Sequence, residues 1–236
     1  MPIRRLRLLG LVVLAGPLCA GVVLAQPPEI PPHWLQRRAP STDTQTVSFC
    51  VDPRDPGAAV DQAIAEAVNA ALLLEPRVHV VDRLVVVEDD FERLYIDLVD
   101  NCAAYLGFPL YPGAYPGWLT FTRPYYEARF VILTDRPGWS SLGDIPPASR
   151  VGAVQGTQGD IRFLTLNNAR PAAARWLRTP LGHPERAFDA LMDGVVDALI
   201  VWEPWWWHLT RSRPELEDLR VLNAPEVSEP WVGVGA

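Results

Sequence analysis

Short apolar segments alternate with amphipathic helical segments along most of this chain, which sharply limits the folds available to it. Strands are predicted at 47–51, 78–87, 103–108, 130–134, 151–154, 198–201 and 219–222. Helices are predicted at 58–74, 90–100, 160–166, 172–178, 185–193 and 204–211. Strands that alternate with helices build layers around mostly parallel sheets. We therefore expect an α/β fold.

Two such series of elements are present, and they divide near residues 126–134. The pattern predicts lobe 1 at 47–126 and lobe 2 at 127–222, each a mostly parallel sheet flanked by helices. Residues 26–46 are rich in proline and form an extended lead-in, and residues 223–236 return towards lobe 1. The helix predicted at 58–74 carries apolar residues at helical spacing. Its expected core face comprises Val60, Ile64, Ala67, Val68 and Ala71.

The N-terminus has the pattern of a cleavable secretory signal at residues 1–25. Arg4, Arg5 and Arg7 precede an apolar run at 8–24, and small residues suit cleavage after Ala25. An uncleaved membrane anchor is the alternative, since the run approaches spanning length. We expect export to the periplasm. Cys50 and Cys102 then remain, and an even pair in an exported protein favours a disulfide, with two buried thiols as the alternative.

Composition argues against several functions. The formal net charge is −7 and there is no lysine, whereas a nucleic-acid binder needs a basic surface. The histidines His33, His79, His183 and His208 have no metal-ligand spacing, and no Gly-x-Ser-x-Gly motif is present. The acidic run at 88–90 is typical of a solvated helix start, with a metal site as the alternative. We expect neither an enzyme nor a cofactor.

Four motifs resemble one known family. They are Cys-Val-Asp-Pro at 50–53, Phe-Thr-Arg-Pro-Tyr-Tyr at 121–126, Val-Gly-Ala-Val-Gln-Gly-Thr at 151–157, and Ala-Phe-Asp-Ala-Leu-Met-Asp-Gly-Val-Val-Asp-Ala at 187–198. Their order resembles the type II extracytoplasmic solute-binding proteins, in the branch that binds polar amino acids. The motif at 122–126 and Ile-Val-Trp at 200–202 look most like the members associated with quinoprotein (methanol-type) dehydrogenases.

The resemblance implies a periplasmic protein of two lobes that closes on a small ligand and delivers it to an ABC permease. It also implies a Cys50–Cys102 disulfide. A second function stays open, in which the chain docks on a periplasmic quinoprotein dehydrogenase or a cytochrome without a small ligand. Relatives continue with a closing helix, so the return segment at 223–236 is expected to be truncated.

The expected ligand-binding residues follow from the motifs. Amides at a helix start attract anions, which favours the turn around Thr157, although a plain capping turn is the alternative. Arg123 could face the cleft and bind an acidic ligand, or it could pair with an aspartate or glutamate on the surface. The full expected set is Arg123, Gln155, Thr157, Gln158, Trp202 and Glu203.

Two departures from the family bear on the ligand. No arginine lies at 112–120, where relatives grip a carboxylate, and Trp202 replaces the aspartate that takes the ammonium group. Free α-amino acids should therefore bind poorly. Trp205, Trp206 and Trp207 span about 200° of a helix surface, so at least one should be exposed near the rim of the cleft.

Overall fold

The computed structural model describes residues 46–81, 91–111, 115–229 and 231–236. The predicted leader, most of the lead-in, the acidic run at 88–90 and the end of the strand predicted at 78–87 lie outside these residues. A membrane-spanning helix is not found in the part of the chain that is described.

Lobe 1 combines two three-stranded sheets with two helices. Its elements are β1 (Thr46–Val51), α1 (Ala58–Ala71), β2 (Glu75–Val80), α2 (Phe91–Asp100), β3 (Ala104–Tyr105), β4 (Phe108–Pro109), β5 (Tyr126–Ala128) and β11 (Val232–Gly235). The strands β2 and β3 pair in parallel with β1, and β4 and β5 pair antiparallel with β11. Because β4 follows β3 after only Leu106 and Gly107, the two sheets lie side by side.

Lobe 2 has one five-stranded sheet in the order β10-β6-β9-β7-β8. Its elements are β6 (Phe130–Thr134), β7 (Arg150–Val154), α3 (Gln158–Ala169), β8 (Leu177–Leu181), α4 (Pro184–Met192), β9 (Ala198–Trp202), α5 (Glu203–Thr210), β10 (Arg220–Val221) and α6 (Pro225–Ser228). Short 3-10 turns lie at Leu142–Asp144, Ala172–Ala174 and Pro214–Asp218. The strands β7, β8 and β9 are parallel, and β6 runs antiparallel to β9.

The lobe 2 sheet is buried on both faces. Neighbouring residues of a strand point to opposite faces, so Ile132 packs in one core cluster with Phe163 of α3. Leu133 packs in the other cluster with Phe188 of α4. Both faces of a sheet must be covered when its strands are as apolar as Val131–Leu133, and the flanking helices do this.

The chain passes between the lobes at two places. A single residue, Arg129, separates β5 of lobe 1 from β6 of lobe 2. The chain returns after α6, and β11 then inserts between β4 and β5. The strand that follows each passage, β6 in lobe 2 and β11 in lobe 1, pairs antiparallel with both of its neighbours.

The prediction of a helix at 172–178 is wrong. A 3-10 turn and the start of the strand β8 lie there instead. The alanines there favour a helix by propensity. Asn167 overrides this preference, since its side chain accepts a hydrogen bond from Trp176 N and donates one to Trp176 O. These bonds hold buried Trp176 extended and lead the chain into β8 beside β7.

The buried face of α1 also differs from the prediction. Asp61, Ala65 and Asn69 are buried, whereas Val60 and Val68 are exposed. Asp61 accepts a hydrogen bond from the Tyr125 hydroxyl, which turns this side of the helix inward. A polar residue with a specific partner has thus displaced the more apolar stripe from the core.

The predicted disulfide between Cys50 and Cys102 is present, with a Cα–Cα distance of 5.5 Å. Cys50 lies in β1 and Cys102 lies between α2 and β3, and both are buried. The bond therefore ties a lobe 1 helix to the central strand of its sheet.

Replacing both cysteines, as Cys50→Ala/Cys102→Ala, should lower the free energy of unfolding by about 4 kcal/mol. The bond closes a loop with a sequence separation of 52 residues, which restricts the unfolded chain. Urea unfolding measures the change. Reductant should weaken the wild type and leave the double variant unaffected. Equal stabilities of the oxidised wild type and the variant would contradict this expectation.

Candidate functional site

The strand ends that face the crossings form the candidate site. In open α/β sheets, ligands bind beyond the carboxyl ends of the strands. In lobe 1 these are the ends of β1 and β3, followed by Asp52 and Leu106. In lobe 2 they are the ends of β7 and β9, which lead into Gln155 and Glu203. Phe130, the first residue of β6, pairs with Trp202, so the crossing lies at this same edge.

The lobe 2 turn at 155–158 holds three of the expected ligand-binding residues. Gln155 is exposed, and Thr157 and Gln158 are partly buried. Gly156 has φ +81°, a conformation that favours glycine, and it lets the chain enter α3 directly from β7. The Thr157 hydroxyl donates to Val154 O and accepts from Asp160 N at 3.3 Å. This hydroxyl therefore caps the helix.

A carboxylate of the protein itself occupies this turn. Asp160 is 2% exposed, and its Oδ2 accepts a hydrogen bond from Gly156 N at 3.1 Å. Arg178 of β8 binds the same carboxylate through Nε at 2.7 Å and Nη2 at 2.6 Å. These bonds raise the pKa of Arg178. The sequence prediction missed both residues, although an acid three residues after the capping Thr157 is a recognised helix-start signal.

Trp202 and Glu203 lie beside the first crossing. The Trp202 ring packs against Phe130 with centroids 5.1 Å apart. Glu203 N donates to Arg129 O at 3.0 Å, and the Glu203 carboxylate lies 3.8 Å from Arg129 Nε. The side chain of Glu203 is only 9% exposed and its Oε2 has no hydrogen-bond partner. Burial raises the pKa of Glu203, and the positive charge of Arg129 opposes this.

Arg129 also contacts the second crossing, because its guanidinium lies 4.4 Å from the centroid of the Trp231 indole. Trp231 directly precedes β11. A guanidinium stacked on an indole is held in place more firmly than a free surface arginine. The two passages between the lobes are therefore joined by one side chain.

Carboxylates dominate the lobe 1 strand ends. Asp52 forms a bidentate pair with Arg54, at 2.8 Å to Nε and 2.6 Å to Nη2. Asp55 accepts from Gly57 N, and Asp61 is fully buried on α1. Of these three acids, Asp52 is the one that Arg54 binds.

Gly107 shows how closely two of these acids approach each other. A Cβ on Gly107 would lie 2.7 Å from Asp61 Oδ2 and 3.7 Å from the Asp55 carboxyl carbon. Gly107 N donates to the Tyr125 hydroxyl, which itself donates to Asp61 Oδ1, while Asp61 Oδ2 has no partner. Burial raises the pKa of Asp55 to about 7 and that of Asp61 to about 6, and each carboxylate's hydrogen bond opposes the effect.

The structure does not bring Arg123 to the other expected residues. Arg123 is exposed and lies before β5, where its neighbour Thr122 bonds to Ala236. That end of β11 is remote from the crossing. The other five expected residues, at 155, 157, 158, 202 and 203, share the lobe 2 edge.

The three adjacent tryptophans are divided between core and surface, as predicted. Trp205 and Trp206 pack against a core cluster, and the Trp206 indole donates to Leu216 O. Trp207 is 45% exposed. Its place on the rim of the cleft remains a prediction.

A cavity of about 420 Å³ lies within lobe 1 and away from the lobe 2 edge. Tyr95 and Trp118 stand at its wall with ring centroids 5.2 Å apart. All of its lining residues belong to lobe 1, so it is not a cavity between the lobes. Among the described residues, no group of His, Cys, Asp and Glu side chains could hold a metal ion.

Comparison with solved structures identifies the fold. A cysteine-binding protein from Campylobacter jejuni is 22% identical, with a TM-score of 0.53 over 81% of this chain and 76% of that chain. The second substrate-binding domain of a putative amino acid ABC transporter from Streptococcus pneumoniae is 17% identical, with a TM-score of 0.54 over 80% and 82%. An ancestral arginine-binding protein bound to arginine is 17% identical, with a TM-score of 0.53 over 81% and 84%.

These neighbours are substrate-binding proteins, and the chain has their two-lobed, type II periplasmic-binding-protein fold. The predicted α/β fold class is confirmed. At such identities the likeness concerns the fold alone. No model of a protein family matches the sequence, and no curated protein matches it.

Asp55→Asn should gain stability relative to the wild type as the pH rises from 5 to 8, by on the order of 1–2 kcal/mol. An aspartate titrates near pH ~3.9 in an unfolded chain, whereas burial raises the pKa of Asp55 to about 7 in the folded state. The stability due to the neutral carboxyl is complete below the unfolded pKa and is lost as the pH rises through 7. Asparagine remains neutral throughout.

Denaturant unfolding at both pH values measures this difference. Asp144→Asn is the control, because hydrogen bonds from Ser140 and Ser141 lower the pKa of Asp144 to about 2. Asp144 is ionised at both pH values, so its replacement should have the same effect at each. A pH-independent effect of Asp55→Asn would show that Asp55 is ionised in the folded protein at pH 5.

Proposed function

We propose that this chain is an exported solute-binding protein that takes up a small molecule between its lobes and closes on it. The observation that carries the proposal is that the two lobes have separate cores and that the chain passes between them at two places, the crossing at Arg129 and the return before β11. Two rigid sheets with so few connections between them can move as bodies about a hinge. The solved neighbours are proteins of this kind.

The proposal includes cleavage of residues 1–25, residence in the periplasm and delivery of the solute to an ABC permease. The leader pattern and the disulfide both support export. Association with a quinoprotein alcohol dehydrogenase system belongs to the proposal as well. The motif at 122–126 and the Ile-Val-Trp sequence at 200–202 support that association.

The solute should contact the exposed polar groups of the lobe 2 turn. Gln155 and Gln158 flank Gly156, and the half-buried Trp202 offers an apolar surface nearby. We assign no catalytic role to Thr157, because its hydroxyl is used in capping the helix.

Gln158→Ala should weaken solute binding about fivefold, which corresponds to the loss of one net hydrogen bond of roughly 1 kcal/mol. Isothermal titration calorimetry with the solute identified in a thermal-shift screen measures the change. Gln62→Ala is the matched control, since Gln62 lies exposed on α1 and bonds only to Glu66 in its own helix. Saturated wild type should also show a smaller radius of gyration in X-ray scattering. Unchanged scattering on saturation would contradict closure.

The second candidate function is docking on a periplasmic quinoprotein dehydrogenase or cytochrome, and the exposed Trp207 favours it. Exposed tryptophans often anchor protein interfaces. Under this function, Trp207→Ala should weaken binding to the purified dehydrogenase by more than tenfold in sedimentation experiments. Leu177→Ala is the control, because Leu177 is 56% exposed on β8. Equal affinities of the two variants would exclude an anchoring role for Trp207.

A further inference from the structure

Arginines at the two strand-end edges are paired with carboxylates of the protein. Arg54 is bound bidentately by Asp52, and Arg178 is bound bidentately by Asp160. Arg129 lies against Glu203 and Trp231. Bidentate pairs are the strongest hydrogen-bonded contacts that a guanidinium makes with a carboxylate. Arg54 and Arg178 are therefore already engaged before any ligand arrives, whereas the buried Arg129 Nε has no hydrogen-bond partner.

Asp160 uses the donors that the carboxylate of a ligand would need at the lobe 2 turn. It accepts from Gly156 N and from both guanidinium donors of Arg178, and it is 2% exposed. A ligand anion could bind Gly156 N and Arg178 only by displacing a carboxylate attached to the same helix. Displacement would leave Asp160 buried and unpaired, which is strongly unfavourable.

Two carboxylate oxygens at these edges lack hydrogen-bond partners. They are the buried Asp61 Oδ2 and Glu203 Oε2, and the second lies 3.8 Å from Arg129 Nε, which has no hydrogen-bond partner either. Asp55 lies across Gly107 from Asp61. Burial favours the neutral form of Asp55 and Asp61, and a cation beside them would favour the ionised form, which accepts hydrogen bonds and donates none. A positively charged nitrogen supplies both donors and the opposite charge.

We propose that the solute bound between the lobes carries a positively charged nitrogen and no carboxylate or phosphate. Asp160 and Arg178 act as the specificity-determining pair, because the internal carboxylate closes the anion-binding turn. The acids at the lobe 1 edge favour the cationic nitrogen. This inference rests on the proposed solute-binding function and names the chemical class of its ligand.

The solute class is tested with compounds that differ only by one carboxylate. The pairs are cadaverine and lysine, agmatine and arginine, and ethanolamine and serine, each titrated into the wild-type protein by calorimetry. The member without the carboxylate should bind at least tenfold more tightly in any pair that binds. Tighter or equal binding of the amino acid overturns the proposed class.

The role of Asp160 is tested separately with acetate at constant ionic strength. Asp160→Ala removes the internal carboxylate, so acetate should raise the melting temperature of this variant with saturation. The wild type and the Asp160→Ala/Arg178→Ala double variant should show no such rise. Asp160→Ser provides the same opening if the alanine variant fails to fold, since serine is well tolerated near a helix start.

Asp197→Ala is the matched control for a general effect of a missing carboxylate. Asp197 pairs with Arg136 and Arg150, but these arginines are exposed and lie at the opposite end of the lobe 2 sheet. Acetate should leave this variant unchanged. If Asp160→Ala and Asp160→Ser gain nothing from acetate, or if the wild type gains equally, the role assigned to Asp160 is wrong.

The two tests separate this inference from the function on which it rests. Failure of every compound in the pairs and in a wider screen to bind overturns solute binding, and the solute class with it. The acetate titration needs no solute and decides the role of Asp160 alone. Binding of an amino acid with closure of the lobes would uphold the proposed function and overturn the inference.

Discussion

Arg129 is the single residue between β5 and β6, and its contacts lie where the chain passes between the lobes. Its carbonyl accepts from Glu203 N, and its guanidinium stacks on Trp231 before β11. A cation–π contact contributes roughly 0.5–2 kcal/mol. Two conformations of a protein commonly differ by only a few kcal/mol, so a contact of this size can decide which arrangement of the lobes predominates.

Arginines balance much of the negative charge at the strand ends. Asp52, Asp160 and Glu203 each lie against an arginine of the protein, which is Arg54, Arg178 or Arg129. For the two other acids, Asp55 and Asp61, burial raises the pKa and favours the neutral form. A positively charged solute beside them would favour the ionised form of both.

Local patterns in the sequence predicted much of this fold, including the α/β class, most helices and the strands β6, β7 and β9. They failed where a distant residue decides the conformation. Asn167 fixes Trp176 in an extended conformation, and Tyr125 turns Asp61 into the core across 64 residues of sequence. The family motifs led to six expected ligand-binding residues, and most of these lie at the strand-end edge of lobe 2. The pairing of Asp160 with Arg178 depends on which strand lies beside β7, and periodicity does not reveal that.

The strand β11 has a consequence for the order in which the lobes can form. Lobe 2 is built from one continuous stretch of chain, from β6 to α6, whereas lobe 1 needs β11 to join β4 to β5. During folding, lobe 2 can therefore complete its sheet while lobe 1 still lacks an inner strand. Contacts between segments so far apart in sequence form slowly. The maturation of lobe 1, and with it the assembly of a cleft, is set by the arrival of the last strand.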